Sequence, residues 1–154
     1  MSTYQIIDEP KGSRFSNMTS KPMWPLLAFM LGGALSSWVW SALNSLALNS
    51  PSRNKELAIV GVAFITYFAM YISVGVLIAN GALEGVNAGY IKVGIVAIEL
   101  IFCYKLFLMQ SNSFDVHEYF NGKVANPAIG LIISVLVGRK IEAVVISALL
   151  AGGN

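Results

Sequence analysis

The stretch YIKVGIVAIELIFCYKLFLM, from Tyr90 to Met109, is apolar over the length of a membrane-spanning helix and carries one acid, Glu99, near its middle. A helix needs about 20 mainly apolar residues to cross the hydrocarbon core of a bilayer. A charged side chain at that depth costs about 3 kcal/mol on insertion scales, so it normally faces protein or water and has a partner. The stretch therefore predicts a membrane helix in which Glu99 requires a partner.

The whole chain has the composition of a membrane protein. Of its 154 residues, 56% are hydrophobic and 12% are charged, whereas about a quarter of the residues in soluble domains are charged. The formal net charge is +2 and the basic residues are scattered, so we expect no nucleic-acid partner. The composition predicts an all-α, polytopic helical membrane protein that lies in the lipid bilayer.

Four segments of the chain have the length and apolar character of membrane spans. Residues 1–22 are predicted to be a polar N-terminal tail, and residues 23–154 a single transmembrane helical domain. Short polar linkers separate the segments and make neighbouring spans antiparallel. The predicted spans cover residues 25–48, 57–79, 90–109 and 127–151.

The last predicted span is interrupted by Arg139, Lys140 and Glu142, and two arrangements are compatible with it. In the first, one helix crosses the membrane with both bases near mid-depth. In the second, the first half enters the membrane and the second half lies along the interface or returns. We favour the first, because Glu99 supplies a counter-charge, while Glu142 can balance Arg139 locally. The predicted intramembrane charge pair joins Glu99 to Arg139 or Lys140.

Small side chains recur at every fourth position of the first predicted span, at Gly33, Ser37, Ser41 and Ser45. This spacing places them along one side of a helix, where a neighbouring backbone can approach closely. Asn44 lies beside them and can hydrogen-bond across helices. We interpret these residues as a helix-packing stripe and not as a nucleophile site, because no base or oxyanion donor is evident near them in the sequence.

The second predicted span has two tyrosines one helical turn apart, Tyr67 and Tyr71. Residues at this spacing share a face of a helix. We interpret the pair as core packing, with hydroxyl groups that require hydrogen-bond partners when buried.

Metal, redox and catalytic chemistry are not predicted for this chain. Asp115, His117 and Glu118 supply at most three ligands from one local run, and the sequence contains one histidine. We therefore expect a solvated loop over residues 110–126. Cys103 is the single cysteine and cannot form an internal disulfide. The chain is predicted to be non-enzymatic and to bind no cofactor.

Several positions of the sequence together resemble a diffuse set of small, mostly uncharacterised bacterial inner-membrane proteins with four spans. They are a proline and two glycines in the first span, an asparagine near its end, and a histidine and a glycine before the last span: Pro25, Gly32, Gly33, Asn44, His117 and Gly122. The resemblance implies the four-span fold and the inner membrane, and carries no activity. Basic residues of the tail, Lys11, Arg14 and Lys21, predict that both termini are cytoplasmic.

Two functions of different classes are compatible with these features. The first is a non-enzymatic protein that acts through protein–protein contacts in the bilayer, as an assembly subunit or as an immunity-type protein against a membrane-active toxin. Its partner is another membrane protein or a second copy of the chain, and the small-residue stripe favours it. The alternative is an ion- or solute-conducting oligomer centred on Glu99.

Overall fold

Six α-helices make up most of the part of the chain that the computed structural model describes, residues 16–151. They are α1 (Met23–Gly32), α2 (Ala34–Leu48), α3 (Arg53–Ala79), α4 (Ala88–Tyr119), α5 (Ala128–Ile133) and α6 (Arg139–Ala151). A 3₁₀ turn covers Ser16–Met18, and a π-helical turn, Ser134–Gly138, joins α5 to α6. Residues 16–151 contain no β-strand, so the predicted all-α class is confirmed.

Helix α3 is long and apolar enough to cross a membrane, and it is the one helix within residues 16–151 that meets this criterion. It has 27 residues, and its most apolar window has a mean hydropathy of 2.1. The first and last predicted spans are each divided into shorter elements. By this criterion the structure supports one of the four predicted crossings.

Helix α2 lies at the centre of the bundle, where it packs against α1, α3, α4 and α6. Its Trp38 is fully buried. The indole meets the rings of Phe64, Tyr67 and Phe102 edge-on, with ring centroids 5.5, 5.8 and 6.3 Å away. These aromatic contacts join α2 to α3 and α4 and form the core of the bundle.

Gly33 divides the first predicted span, residues 25–48, into two helices. Its φ of 93° and ψ of 174° lie outside the helical region and in a region that is open essentially to glycine alone. Its N–H still donates to the carbonyl of Phe29, at 3.1 Å, and its carbonyl accepts from the N–H of Ser37, at 3.3 Å. The prediction of one unbroken helix is therefore wrong at this residue.

The last predicted span is helical from Ala128 to Ala151, with the π-helical turn in its interior. This turn packs closely on the break between α1 and α2. A Cβ on Gly32 would collide with the carbonyl oxygen of Ser134, and a Cβ on Gly138 would lie 2.6 Å from the Cβ of Ser36. The chain therefore stays helical through the charged interruption at Arg139, Lys140 and Glu142.

The segment predicted as a solvated loop, residues 110–126, is helical over its first part. Helix α4 continues to Tyr119, and His117 in its last turn is buried, with Nε2 3.1 Å from the carbonyl oxygen of Lys123. Asn121 then adopts a left-handed conformation with φ of 56°, which turns the chain back over the histidine. The loop prediction is therefore wrong for residues 110–119.

The predicted polar tail falls only partly within the described residues. Residues 1–15, with Lys11 and Arg14, lie outside them, as do residues 152–154, so the predicted orientation of the termini is not addressed by the fold. Thr19 and Ser20 are buried. The carbonyl of Thr19 accepts from the N–H of Ala125 at 2.8 Å, so this end of the tail packs on the bundle.

Candidate buried acid site

Three carboxylates are buried among residues 16–151. They belong to Glu56 of α3, Glu99 of α4 and Glu142 of α6, which are 0%, 3% and 8% exposed. Removal of a carboxylate from water is costly unless donors or an opposite charge compensate it. The surroundings of each acid therefore indicate what it does.

Glu142 binds the start of α2 at the helix break. Its Oε1 accepts a hydrogen bond from the backbone N–H of Ala34 at 3.1 Å. The other oxygen, Oε2, occupies the position that a Cβ on Gly33 would take. Helix N-termini present unpaired N–H groups and a positive dipole end, so they favour a carboxylate. Glycine at position 33 thus creates the break and leaves the space for the acid.

Glu99 lies on the buried side of α4 and contacts α3. The hydroxyl of Tyr71 donates to its Oε1 across a long 3.5 Å. Glu142 interacts with it electrostatically from α6. Cys103, one turn further along α4, lies 3.5 Å from the hydroxyl of Ser37, which is one turn after the break. Glu99 is therefore close to the break in the first predicted span.

The bases that the sequence paired with Glu99 are on the outside of the last helix. Arg139 and Lys140 are exposed, whereas Glu142 is buried and faces the bundle. Successive residues of a helix are about 100° apart, so two residues that are two positions apart point in nearly opposite directions. Because Glu142 points into the bundle, Lys140 points away from it. Arg139 acts electrostatically on Glu142. The structure places a second buried acid, and not the predicted bases, at the helix break that lies near Glu99.

Tyr67 contributes a buried hydroxyl to the same region. The residue is 0% exposed, and its hydroxyl has no hydrogen-bond partner within residues 16–151. Its ring lies against that of Tyr71, with centroids 4.7 Å apart. Buried polar groups are nearly always hydrogen-bonded, so this hydroxyl requires an explanation.

The residues of the predicted packing stripe face the interior of this chain. Ser37, Ser41, Ser45 and Asn44 are all buried. The hydroxyl of Ser37 donates to the carbonyl of Pro25 at 2.7 Å, which ties α2 to α1 across the break. The stripe is therefore occupied by neighbouring helices of the same chain.

Glu56 is held in a polar cluster at the end of the bundle where α2 turns into α3. The hydroxyls of Ser45, Ser50 and Ser52 donate to its carboxylate at 2.6, 2.9 and 2.5 Å. The amide of Gln110 donates to it at 3.3 Å from α4. With four donors, the carboxylate is well compensated, and the cluster fastens α4 to the α2–α3 turn.

Asn44 extends this cluster through Gln110. Its amide nitrogen donates to Gln110 Oε1 at 3.1 Å, and Gln110 Nε2 donates to the carbonyl of Ser41 at 2.8 Å. The oxygen of Asn44 accepts from the backbone N–H of Ser20 at 2.8 Å. The predicted hydrogen bond of Asn44 across helices is thus present, and Gln110 is the partner that the sequence did not identify.

Sequence reasoning missed two of the three buried acids. Glu56 was placed in a polar linker and Glu142 was assigned to a local pair with Arg139. The available signals were the serines that precede Glu56 and the Gly32–Gly33 pair in an otherwise apolar helix. The serines are themselves partners of Glu56, whereas the glycines do not identify Glu142, which comes from a distant part of the chain.

The acid site contains oxygen groups that can bind or pass a cation. No group of three or more His, Cys, Asp or Glu side chains that could hold a metal ion occurs within residues 16–151. Asp115 and Glu118 are exposed, so the weak metal pattern around His117 is not assembled. The chain matches no protein-family model, no curated protein and no solved structure.

Proposed function

We propose that the chain is an integral membrane protein in which α3, α4 and α5–α6 cross the bilayer, while α1 and α2, whose Pro25 and Ser37 are hydrogen-bonded side by side, enter it as a helical hairpin and return to the same side. The apolar length of α3 supports this, as do large hydrophobic side chains exposed along the helices, such as Ile65, Ile72, Val93, Ile101 and Ile132. Such side chains suit lipid and are costly in water. The proposed location is the bacterial inner membrane.

The crossings of α3 and α4 place the exposed ends of these helices on defined sides of the membrane. In a Cys103→Ser background, we expect Lys55→Cys and Glu118→Cys to react with an impermeant thiol reagent from one side. Glu84→Cys is expected to react from the other side. Labelling of all three positions from the same side would contradict the crossings of α3 and α4.

The function that the geometry supports best is the passage of small cations through a site centred on Glu99. One observation carries this proposal: Glu99 is buried near a break in a helix, and a second buried acid, Glu142, binds the backbone at that break. Discontinuous helices around ionisable groups near the membrane midplane are the usual construction of ion-coupled transporters. A buried ionisable residue in a membrane bundle normally marks such a pathway.

The positions of these residues along the predicted spans agree with a midplane site. Gly33, Glu99 and Glu142 each lie near the middle of a predicted span, residues 25–48, 90–109 and 127–151. An acid with a purely structural role needs no helix break near it. A cation site needs polar groups that several helices contribute at the same depth in the membrane. The carboxylates of Glu99 on α4 and Glu142 on α6, with the hydroxyl of Tyr71 on α3 bonded to Glu99, supply such groups.

We expect Glu99→Gln to abolish cation flux in proteoliposomes while the protein still folds. The amide keeps the size of the side chain and can accept the bond from Tyr71, but it cannot bind a cation by charge. The measurement is uptake of protons, Na⁺ and K⁺ into vesicles that hold the purified protein. Glu118→Gln, the same exchange at an exposed site of the same helix, is the matched control. Wild-type flux in Glu99→Gln would overturn the proposal.

Action through protein contacts is a second proposal, favoured by an apolar groove of about 570 Å³ between α2 and the last helical segment. Leu35, Val39 and Leu43 of α2 line one side, and Ile129 and Ile133 line the other. A photoreactive residue at Ile129 is expected to crosslink one partner protein, while one at Ile101, which is equally exposed on α4, is not. Equal crosslinking at both positions would contradict a specific contact.

A further inference from the structure

We propose that the outer face of the last helical segment, residues 128–151, packs against a transmembrane helix of a different membrane protein, and that this helix carries an acid near the middle of its span. The inference rests on the proposed protein contact at the groove and names the chemistry of the partner. It starts from Arg139 and Lys140, two bases that the cation site around Glu99 leaves unused.

The fold places both bases near the middle of the proposed crossing. The last segment begins at the end of the bundle where the N–H of Ala125 donates to the carbonyl of Thr19. Arg139 follows Pro127 by about 18 Å of helix, since each residue of a helix rises by about 1.5 Å. The hydrocarbon core of a bilayer is about 30 Å thick. Arg139 and Lys140 therefore lie close to the midplane.

Lys140 points away from the bundle at this depth. It is exposed, and it makes no hydrogen bond or ion pair with any residue from 16 to 151. The nearby acid Glu142 is buried and binds the N–H of Ala34 instead. Arg139 is also exposed, although it acts electrostatically on Glu142. Lys140 therefore faces the lipid without a counter-charge from the described residues.

Neither lipid nor water compensates a base at this position. The phosphates and the water of the interface are about 15 Å away, half the thickness of the hydrocarbon core. The methylene stem of a lysine is too short to reach that far, so Lys140 cannot snorkel as a base near a helix end does. Charged side chains inside a membrane normally pair with one another or with backbone carbonyls. The counter-charge therefore comes from a neighbouring protein helix.

A second copy of the chain has no suitable acid among residues 16–151. The acids at middle depth, Glu99 and Glu142, are buried inside the bundle. The exposed acids of this part of the chain are Glu84 in the loop after α3, and Asp115 and Glu118 in the final turns of α4. All three lie at helix ends, far from the midplane. The acid that faces Lys140 must then come from a different protein.

The groove beside Lys140 fits the apolar side chains of such a helix. Val137 lines the groove and lies about one turn before Lys140, so the two residues share a side of the helix. Apolar side chains of α2, such as Leu35 and Val39, form the opposite wall. A partner helix would fill the groove with its apolar side chains while its acid meets the base at the edge. The groove supplies packing, and Lys140 selects a partner with an acid at the matching depth.

The test uses a synthetic peptide with an apolar span of about 20 residues and an aspartate at its middle. The full chain carries a fluorophore at Lys123→Cys in the Cys103→Ser background. It is reconstituted with the labelled peptide in vesicles of zwitterionic lipid, where energy transfer reports association. We expect the aspartate peptide to bind roughly tenfold more tightly than a peptide with asparagine at the same position, as for a strong polar contact between membrane helices.

Variants of the chain show whether the bases cause this preference. Arg139→Leu combined with Lys140→Leu should bind both peptides equally, because the charge that selects the acid is gone. Lys92→Leu, the same exchange at an exposed lysine near the start of α4, is the matched control and should keep the tenfold preference. Arg139→Leu combined with Lys140→Glu should instead prefer a peptide with lysine at its middle. Equal binding of the aspartate and asparagine peptides to the wild type would overturn the acidic partner and leave the apolar contact at the groove standing.

Thiol labelling checks the depth on which the inference depends. In the Cys103→Ser background, we expect Lys140→Cys to resist an impermeant reagent from both sides of the membrane, whereas Lys123→Cys, in the loop before the last segment, reacts. Reaction of Lys140→Cys would show that water already compensates the base and would overturn the inference. The proposed protein contact has its own test, because it fails when photoreactive residues at Ile129 and Ile101 crosslink equally.

Discussion

Gly33→Ala is expected to destabilise the bundle by about 3–5 kcal/mol, the sum of a strained backbone and a lost buried hydrogen bond. The φ of 93° is strained for any residue with a side chain. The new Cβ would also collide with Oε2 of Glu142, so the carboxylate must leave the N–H of Ala34. The measurement is thermal or denaturant unfolding of the purified protein in detergent.

Gly61→Ala provides the matched control for this prediction. Gly61 lies within α3, and no atom is within 4 Å of the position of an added Cβ. Alanine in a helix interior is about 0.5–1 kcal/mol more favourable than glycine, so this variant should be unchanged or slightly more stable. Gly33→Ala combined with Glu142→Ala should be less destabilised than the sum of the single changes. Equal stability of Gly33→Ala and wild type would mean that the break is not in the folded protein.

Glu56→Ala is expected to lower stability by about 3 kcal/mol, because several buried donors lose their shared acceptor at once. The hydroxyls of Ser45, Ser50 and Ser52 and the amide of Gln110 all point at this carboxylate. The effect is measured as the change in unfolding midpoint in detergent.

Two further variants identify the cause of that loss. Glu56→Gln keeps one acceptor oxygen but adds donors that face hydroxyls, so its stability should lie between those of wild type and Glu56→Ala. Glu84→Ala removes an exposed acid in the loop after α3 and should change the midpoint little. A Glu56→Ala protein as stable as Glu84→Ala would show that the cluster does not hold the turn.

The all-α class followed from local patterns, and so did the approximate positions of the helical segments. Apolar runs bounded by Pro22, Pro25 and Pro51 mark where helices begin or end, since proline and polar linkers interrupt a helix wherever they occur. The end of α4 was misplaced, because Gln110 and His117 look polar in the sequence but are buried against other segments. Polarity in a sequence indicates exposure only when no distant group is available as a partner.

The stripe of Ser37, Ser41 and Ser45 shows what the spacing of residues along a helix predicts and what it does not predict. Its spacing correctly indicates one face of a helix, and that face is buried. The spacing does not reveal whether the covering helix belongs to the same chain or to a partner. The fold shows helices of the same chain on that face, which weakens the argument for an external contact at the stripe.

The local chemistry of this chain specifies helices, their approximate lengths and the presence of Glu99 in an apolar segment. Those properties depend on neighbours within a few residues, so one sequence is enough to read them. The partner of Glu99 depends on which side of α6 faces the bundle, and that side is selected by packing between segments distant in the chain. For this reason the position of Glu142 at the Gly33 break, which completes the candidate site around Glu99, emerged only from the fold.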